Sequence, residues 1–259
     1  LKSTIDINVD KDIISTPLLI TNCATMSNPY TTLQPLTAWR ALRRLLRNKE
    51  DTSQVFIIVS SLTGKSLLRA FNRFSATQSG RAILAEERDL VERLQDRDAL
   101  RQLRPGSLGR AYLDFVEREN LSADGLIEAS ESGNTFDNPD FTRYSRRLRD
   151  SHDLWHVLTG YGRDGIGELC LLGFTFAQTL SPGIAVIAIA GALKYARVVG
   201  GRVFRALGYG YRSGRRAAWL PAADWEALLE RPIDEVRAEF GIRSPEYYPG
   251  LAEMIPAHM

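Results

Sequence analysis

The chain has 259 residues, of which 44% are hydrophobic and 25% are charged, and its formal net charge is +2. This composition is typical of a globular protein with a substantial core. The near-zero net charge argues against a dedicated nucleic-acid-binding protein, since such proteins carry a marked basic excess. The two cysteines, Cys23 and Cys170, provide no disulfide framework and no C-x-x-C metal site, which favours a reducing, intracellular setting.

The N-terminal segment predicts a flexible extension over residues 1–30. Leu1–Thr25 has no helical periodicity, no arginine-rich amphipathic character, and no basic start followed by a long apolar run. Neither a transit peptide nor a secretory signal is therefore evident, and we expect a bacterial protein that is cytoplasmic or peripheral on the cytoplasmic face of the membrane. Residues 31–245 are assigned to a single helical domain and 246–259 to a C-terminal tail, because neither a repeat nor a linker divides the chain.

The segment Leu36–Arg47 predicts a short basic amphipathic helix, because apolar residues recur at helical spacing and arginines occupy the other face. Such a helix suits an anionic membrane, or the surface of a soluble protein on which arginine stems cover apolar groups. Next, Val55–Val59 has local strand character and precedes Gly64-Lys65-Ser66. A phosphate loop needs glycine where Val59 stands, so we predict no nucleotide site and a helix through about Phe74.

The middle of the chain predicts a series of helices. Gly80–Arg101 has a helical composition. Ser107 is placed to cap a helix through about Glu119, and Ser122 begins another short helical segment. Because proline suits the first position of a helix, we expect a further helix from Pro139 through residue 159.

The metal-binding potential of the chain lies in His152-Asp153-Leu154-Trp155-His156 and in Glu168, which follows after eleven residues. Residues four apart in a helix project from one face, so His152 and His156 lie one turn above the other. Asp153 can lean into the same space, and four glycines let the chain return Glu168 to the histidines. Two imidazoles with one or two carboxylates suit zinc and equally manganese, cobalt or ferrous iron. We predict a divalent metal site with the ligands His152, Asp153, His156 and Glu168.

Other interpretations of this region are weaker. A histidine pair at this spacing also occurs by chance, although seldom with two adjoining carboxylates. The H-E-x-x-H motif of metalloproteases uses its glutamate as the general base, whereas the shorter Asp153 stands here, so a metallohydrolase is the weakest hypothesis. Gly160–Gly165 matches the dinucleotide fingerprint G-x-G-x-x-G, but a true fingerprint follows a strand. We interpret these glycines as a tight turn beside the metal.

No charged residue lies between Glu168 and Lys194, a length that suffices to span a membrane. Ser181-Pro182-Gly183 divides this segment into two pieces of about a dozen residues, each short for a span. The first piece also begins at a proposed metal ligand, which must face a polar site. We therefore predict two buried helices that wall an apolar cavity, where a polyprenyl tail would gain about 0.8 kcal/mol per buried methylene.

The segment Lys194–Arg216 contains seven basic residues and no acidic residue. It suits lipid headgroups or an acidic partner, or a solvated face balanced by the acidic segment that follows. Trp225–Leu229 and Ile233–Phe240 predict short helices, with Gly241 as a C-terminal cap. Helical periodicity dominates the chain, so we predict an all-α fold in a single domain, with a metal site between two helices and an apolar cavity.

The motif His152-Asp153-x-x-His156, eleven residues and Glu168 resembles the signature of the fourth coenzyme Q (ubiquinone) biosynthesis protein family. Its flanks are also similar, in Tyr144, Arg149, Thr159-Gly160 and Leu169–Gln178. Further similar segments are Leu103–Tyr112, Asp224-Trp225-Glu226 and Pro232–Arg237. The resemblance covers roughly Val55 to Pro245, and every signature position is filled.

The resemblance implies a role in ubiquinone synthesis, association with membranes and with other ubiquinone biosynthesis proteins, and a polyprenylated benzoate as substrate. The implied reaction is an oxidative decarboxylation, which removes the ring carboxyl at C1 and installs a hydroxyl group. The alternative is a non-catalytic prenyl-lipid-binding scaffold that organises the biosynthetic complex. In the enzyme, His152, His156 and Glu168 would bind the metal, and Asp153 would be either the fourth ligand or a catalytic proton-transfer group. We expect zinc in a purified sample; zinc has no redox chemistry, so iron, manganese or cobalt is the alternative in the working enzyme.

Overall fold

The computed structural model describes residues 33–47, 53–121, 136–245 and 248–252. Helices form the regular structure of these residues, strands are absent from them, and one isolated β-bridge pairs Ser107 with Pro232. The prediction of an all-α fold in a single helical domain is therefore confirmed. The helices are α1 Pro35–Arg47, α2 Ser53–Leu62, α3 Ser66–Ala76, α4 Gln78–Ala85, α5 Leu90–Gln95, α6 Arg97–Gln102, α7 Leu108–Arg118, α8 Pro139–Asp150, α9 His152–Thr159, α10 Gly165–Thr179, α11 Pro182–Val199, α12 Arg202–Arg216, α13 Trp225–Leu228, α14 Ile233–Phe240 and α15 Pro249–Ala252, with a 3₁₀ helix Leu220–Ala222 before α13.

The first helices differ from the sequence prediction at one turn. α1 is the predicted basic amphipathic helix. Val55–Val59, which have local strand character in the sequence, lie in the helix α2. The single helix predicted through Phe74 is wrong, since α2 ends before Thr63 and α3 begins at Ser66. The cause is Gly64, whose φ of +50° is a left-handed conformation that ends a helix.

The helical composition of Gly80–Arg101 is expressed as three short helices, α4, α5 and α6. Two local features interrupt the segment. Glu87 adopts a φ of +51° after α4, and the Asp96 carboxylate accepts the Ala99 N–H at 2.9 Å, which starts α6 as a new helix. The apolar side chains of this region still face the core, as Leu90 shows with 1% exposure.

The helix starts predicted around the middle of the chain are confirmed. Ser107 caps α7 by accepting the Arg110 N–H, and Asn138 caps α8 with Pro139 at the first helical position. The continuous helix predicted from Pro139 to residue 159 is wrong. It divides at Ser151, whose ψ of −3° departs from the helical value of about −42°, so α9 leaves α8 in a new direction.

A buried ion pair joins α8 to the C-terminal part of the fold. The guanidinium of Arg147 has 3% exposure and donates two hydrogen bonds of 2.6 Å to the Glu226 carboxylate. It also donates to the Ala223 carbonyl at 3.1 Å. Because a forked guanidinium fits one carboxylate geometry, this pair fixes α8, and with it the start of α9, against α13.

α10 is the central helix of the core and lies unusually close to α12. A Cβ atom added at Gly210 would lie 2.1 Å from the Cys170 carbonyl oxygen, and one at Gly173 would lie 2.6 Å from the Leu207 carbonyl oxygen. At Gly214 the corresponding distance to the Phe174 carbonyl oxygen is 2.6 Å. Only glycine permits this backbone approach, so the two helices meet backbone to backbone.

The uncharged segment forms one buried and one partly exposed helix. α10 is buried as predicted, but the prediction that α11 is buried is wrong: Ile189 and Leu193 are 55% and 58% exposed. α11 is also 18 residues long rather than about a dozen, and by length and composition alone it would suffice to cross a membrane. An apolar sequence does not show which other elements cover the helix. Here α2, α10 and α12 cover one side of α11 only. The apolar cavity stays a prediction.

The C-terminal helices agree with the sequence. α13 and α14 occupy the predicted positions, and Gly241 ends α14 in the left-handed conformation with φ of +66°. The predicted extension 1–30 and the helical segment beginning at Ser122 lie outside the described residues. Of the predicted tail 246–259, only residues 248–252 are described.

We predict that Gly210→Ala lowers the free energy of unfolding by about 1–3 kcal/mol, because its Cβ forces the α10 and α12 backbones apart. Gly208→Ala on the same helix is the matched control. The atom nearest to the added Cβ of Gly208→Ala would be Arg212 Nη1 at 3.8 Å, so no clash arises. The higher helix propensity of alanine should then stabilise this variant by about 0.5–1 kcal/mol. Urea unfolding of both variants measures the difference, and equal stabilities would contradict the close approach of the two helices.

Candidate metal centre

Two histidines project from one face of α9. The ring centroids of His152 and His156 are 4.9 Å apart and the ring planes are inclined by 74°, in agreement with the predicted four-residue spacing. The side chain of His156 is fully buried and its ring stacks on Phe115 with a centroid distance of 5.6 Å. The side chain of His152 is 44% exposed. The site therefore has one buried and one accessible imidazole.

The hydrogen bonding of His156 leaves one ring nitrogen free. Its Nδ1 lies 3.0 Å from the Tyr161 carbonyl oxygen, which can only accept, so Nδ1 carries a proton. In the neutral ring, Nε2 then carries the lone pair. Within the described part of the chain, Nε2 is buried and has no hydrogen-bond partner. The Oε1 atom of Glu168 lies 3.4 Å from it. A buried polar atom without a partner is rare in folded proteins, and here it points at a carboxylate.

The glycine-rich loop returns the chain from α9 to α10. Gly160 ends α9 with a φ of +73°, and a Cβ atom at Gly167 would lie 2.1 Å from the Gly162 carbonyl oxygen, so the loop closes tightly on itself. The Asp164 carboxylate then caps α10 by accepting the N–H groups of Ile166 and Gly167 at 3.1 and 3.0 Å. Glu168 consequently lies in the first turn of α10, directed toward the histidines.

The three donors fit a divalent ion. One ligand atom each from His152, His156 and Glu168 lies within 4.8 Å of the others. Donors bound to zinc at about 2.0–2.2 Å are about 3–4 Å apart, so small side-chain rotations would close the set. Two imidazoles and one carboxylate leave positions for water or a substrate, as catalytic sites require.

Asp153 lies beside this cluster rather than within it. Its Oδ1 atom is 3.5 Å from Nδ1 of His152, which leaves Nε2 of that ring as the atom directed at an ion. Carboxylates in this position orient a histidine ligand and raise its basicity. Asp153 is thus placed beside the three donors rather than among them, and both its predicted roles, as a ligand and as a proton-transfer group, stay predictions.

The site holds its carboxylates ionised. Burial acts against the charge of Glu168, but its contact with His156 and the positive charges of the histidines and Arg163 hold its pKa below the ordinary value. The pKa of Asp153 is likewise low, since the hydrogen bond to His152 outweighs burial. Burial also lowers the pKa of His152, but Asp153 and Glu168 together raise it above the ordinary value. Metal ions and protons therefore compete for this imidazole.

Cys170 is a packing residue. It is 1% exposed in the main core cluster, and burial raises the pKa of its thiol to about 12. A thiol of such high pKa is neither a nucleophile nor a ready metal ligand at neutral pH. Cys170 therefore packs in the core although it follows Glu168 by only two residues.

Sequence reasoning missed the residues that support the ligands. Phe115 stacks on His156 from α7, and Tyr248 bonds to the glycine-rich loop from the C-terminal segment. Neither has a motif around it, because both contacts join distant parts of the chain. The Tyr161 carbonyl lies in the glycine-rich loop, only five residues after His156. Of these three supporting contacts, it is the one that joins residues close in the sequence.

Comparisons with known proteins identify the same family that the sequence resembles. The family model described as Coenzyme Q (ubiquinone) biosynthesis protein Coq4 matches residues 31–246. A relative from Yarrowia lipolytica is 30% identical over 177 residues, 68% of this chain and 65% of that protein. A relative from Talaromyces stipitatus is 32% identical over 180 residues, 69% of this chain and 60% of that protein. Both are named as mitochondrial ubiquinone biosynthesis proteins of the COQ4 type, and the match spans less than two thirds of their length.

A solved structure supports the fold. The crystal structure of a candidate ubiquinone biosynthesis protein from Nostoc punctiforme superimposes with a TM-score of 0.61 and covers 82% of this chain and 100% of that chain. At 22% sequence identity, the likeness supports the helical architecture and not a shared activity.

We predict that His156→Ala and Glu168→Gln each abolish binding of one equivalent of Zn²⁺ or Co²⁺, because each removes one of three donors. Asp153→Asn is expected to bind one ion with about 10–100-fold lower affinity, as when a residue that hydrogen-bonds to a metal ligand is replaced. Calorimetric titration measures both effects. Glu92→Gln, which alters an exposed carboxylate on α5, is the control and keeps the wild-type affinity. Complete loss of binding in Asp153→Asn would instead identify Asp153 as a ligand.

Proposed function

Because the chain belongs to the coenzyme Q (ubiquinone) biosynthesis protein Coq4 family, we propose that it catalyses a metal-dependent oxidative decarboxylation of a polyprenylated benzoate. In this reaction the C1–carboxyl bond of the ring breaks with release of carbon dioxide, and dioxygen supplies the oxygen atom of the hydroxyl group that takes the place of the carboxyl group. Two electrons and two protons from a reductant convert the second oxygen atom of dioxygen into water. The observation that carries the proposal is the buried Nε2 atom of His156, which lies 3.4 Å from Oε1 of Glu168, close to His152, and has no hydrogen bond among the described residues. Such an arrangement is typical of a site that binds an ion.

The residues around this atom have separate roles in the proposal. His152, His156 and Glu168 hold the ion, which when bound would polarise the substrate and, if it is ferrous iron rather than zinc, would also activate oxygen. His156 sits on the closed side of the site. His152 and Glu168 are 44% and 35% exposed, so the substrate approaches from their side.

Two charged groups lie at this open side. The Asp153 carboxylate, 21% exposed and next to His152, is placed to accept or return a proton of the head group. The guanidinium of Arg163 is exposed, and its positive charge acts on both Asp153 and Glu168. An acidic ring carboxyl would be attracted to this side before it loses its carbon dioxide.

A membrane contact supports a lipid substrate. Large exposed apolar side chains of the described residues concentrate on α1, α11 and α12 or directly beside them; they are Leu33, Leu36, Trp39, Leu46, Leu180, Ile189, Leu193, Val198, Phe204 and Tyr211. α1 packs on α2, α2 on α11 and α11 on α12, so these helices form one continuous side of the molecule.

The same side carries positive charge. α1, α11 and α12 contain arginines and a lysine but no aspartate or glutamate. Apolar side chains among basic groups are typical of surfaces that lie on anionic membranes. We therefore propose a peripheral membrane protein whose prenyl substrate reaches the apolar helices α10 and α11 from the bilayer.

A non-catalytic scaffold is the second candidate function. The same exposed apolar and basic side supports it, since a prenyl-lipid binder that gathers other ubiquinone biosynthesis proteins needs a surface but no open metal position. The two candidates differ in what the metal does. In the enzyme it takes part in turnover, and in the scaffold it would only stabilise the fold.

We predict that removal of the metal by a chelator, or His152→Ala, lowers turnover of a carboxyl-labelled prenylated benzoate by at least about 10²-fold. The release of labelled carbon dioxide measures the reaction, and restored metal should restore it in the wild type. Glu92→Gln, on the exposed face of α5, is the control. A metal-free variant that still retains lipid and partner proteins and still supports ubiquinone synthesis would favour the scaffold instead.

We predict that Arg205→Glu combined with Arg212→Glu weakens binding to vesicles containing anionic lipid by roughly tenfold or more, since each basic residue near such a surface contributes about 1 kcal/mol. Arg81→Glu is the matched control, because Arg81 is also exposed but lies on α4. Vesicle flotation measures the bound fraction. Equal binding of all variants would contradict the assignment of this side to the membrane.

A further inference from the structure

The described C-terminal segment, residues 248–252, packs against the metal centre rather than away from it. α15 contacts α10, the helix that carries Glu168. Leu251 is 3% exposed within the main core cluster, and its N–H donates to the Tyr248 carbonyl at 3.0 Å. The segment is therefore fixed on the core, and it presents the Tyr248 side chain to the glycine-rich loop.

Tyr248 contacts three successive parts of that loop. Its hydroxyl accepts the Gly162 N–H at 3.0 Å and donates a short hydrogen bond to Oδ2 of Asp164. Its ring meets the Tyr161 ring edge-on, with centroids 5.7 Å apart. A Cβ atom at Gly162 would lie 2.5 Å from the Tyr248 hydroxyl, so the loop is closed on this group without spare room.

The same loop residues hold the two ligands that flank them. The carbonyl of Tyr161 accepts from Nδ1 of His156 at 3.0 Å and so directs Nε2 at the ion position. The other carboxylate oxygen of Asp164 accepts from the first N–H groups of α10 and so fixes the turn that carries Glu168. Burial and the neighbouring Asp164 charge raise the pKa of Tyr248, which keeps its hydroxyl protonated as a donor.

We propose that Tyr248 is a positioning residue of the metal centre, whose hydroxyl and ring clamp the loop so that His156 and Glu168 converge on one ion. The inference rests on the metal centre of the proposed function and adds a residue to it. Without the hydroxyl, the Gly162 N–H and one Asp164 oxygen lose their partner, and a loop rich in glycine regains its conformational freedom. Loss of such outer partners weakens metal sites by about 10–100-fold.

Tyr248→Phe tests the clamp, because it keeps the ring against Tyr161 and removes only the hydroxyl. We expect one equivalent of Co²⁺ to bind about 10–100-fold more weakly, with an altered visible absorption spectrum that reports a changed coordination geometry. Tyr144→Phe is the matched control, since the Tyr144 hydroxyl is buried without a hydrogen-bond partner in the described part of the chain. Ile83→Val, in a separate core cluster, lowers stability without touching the site and separates a stability effect from positioning.

Amide hydrogen exchange of the metal-free protein provides a readout independent of the ion. Tyr248→Phe should accelerate exchange at Gly162 and at the first amides of α10, whereas Tyr144→Phe should not. Wild-type Co²⁺ affinity and spectrum, or unchanged exchange, in Tyr248→Phe would overturn the clamp. Absence of metal binding in the wild type with faster exchange in Tyr248→Phe would instead overturn the metal centre, and with it the positioning role.

Discussion

The structure depends on bringing the Glu168 carboxylate to a buried nitrogen of His156 that has no hydrogen-bond partner among the described residues. An unsatisfied polar atom in a protein interior costs about 1–3 kcal/mol. Here Phe115 and the Tyr161 carbonyl hold the His156 ring in place. Because the ring is held, Nε2 cannot turn to another partner, and the energetic cost remains. Coordination of an ion would remove it, so the free energy of metal binding and the free energy of folding are linked at this nitrogen.

α10 connects this site to the rest of the molecule. Its first turn carries Glu168, while its middle meets α12 backbone to backbone at glycine positions. α11 packs on both helices, and the Tyr195 hydroxyl of α11 lies so close to Gly165 that a Cβ atom there would be 1.8 Å away. The start of α10 is thus fixed by the helices that carry the exposed apolar and basic side.

The sequence predicted those features that are determined locally. The helix ends at Ser107, Pro139 and Gly241 follow from residue types at fixed offsets, and the convergence of His152 and His156 follows from helical spacing. The breaks at Gly64 and Ser151 were missed, because one residue in a non-helical conformation hardly changes the hydrophobic pattern around it. The exposure of α11 and the Tyr248 contact were unreadable, since both depend on which distant segments lie nearby. Of the candidate site, the donors were predictable and their support was not.

The hydrogen bonds of Tyr248 have a consequence for where the folded unit ends. Similarity to the family stops at residue 246, two positions before a side chain that bonds to Gly162 and Asp164. A domain boundary placed where the family match ends would therefore remove Tyr248, although its side chain packs within the folded unit. A shortened version of the chain that ends there would keep all four signature residues and lose the part that closes their loop.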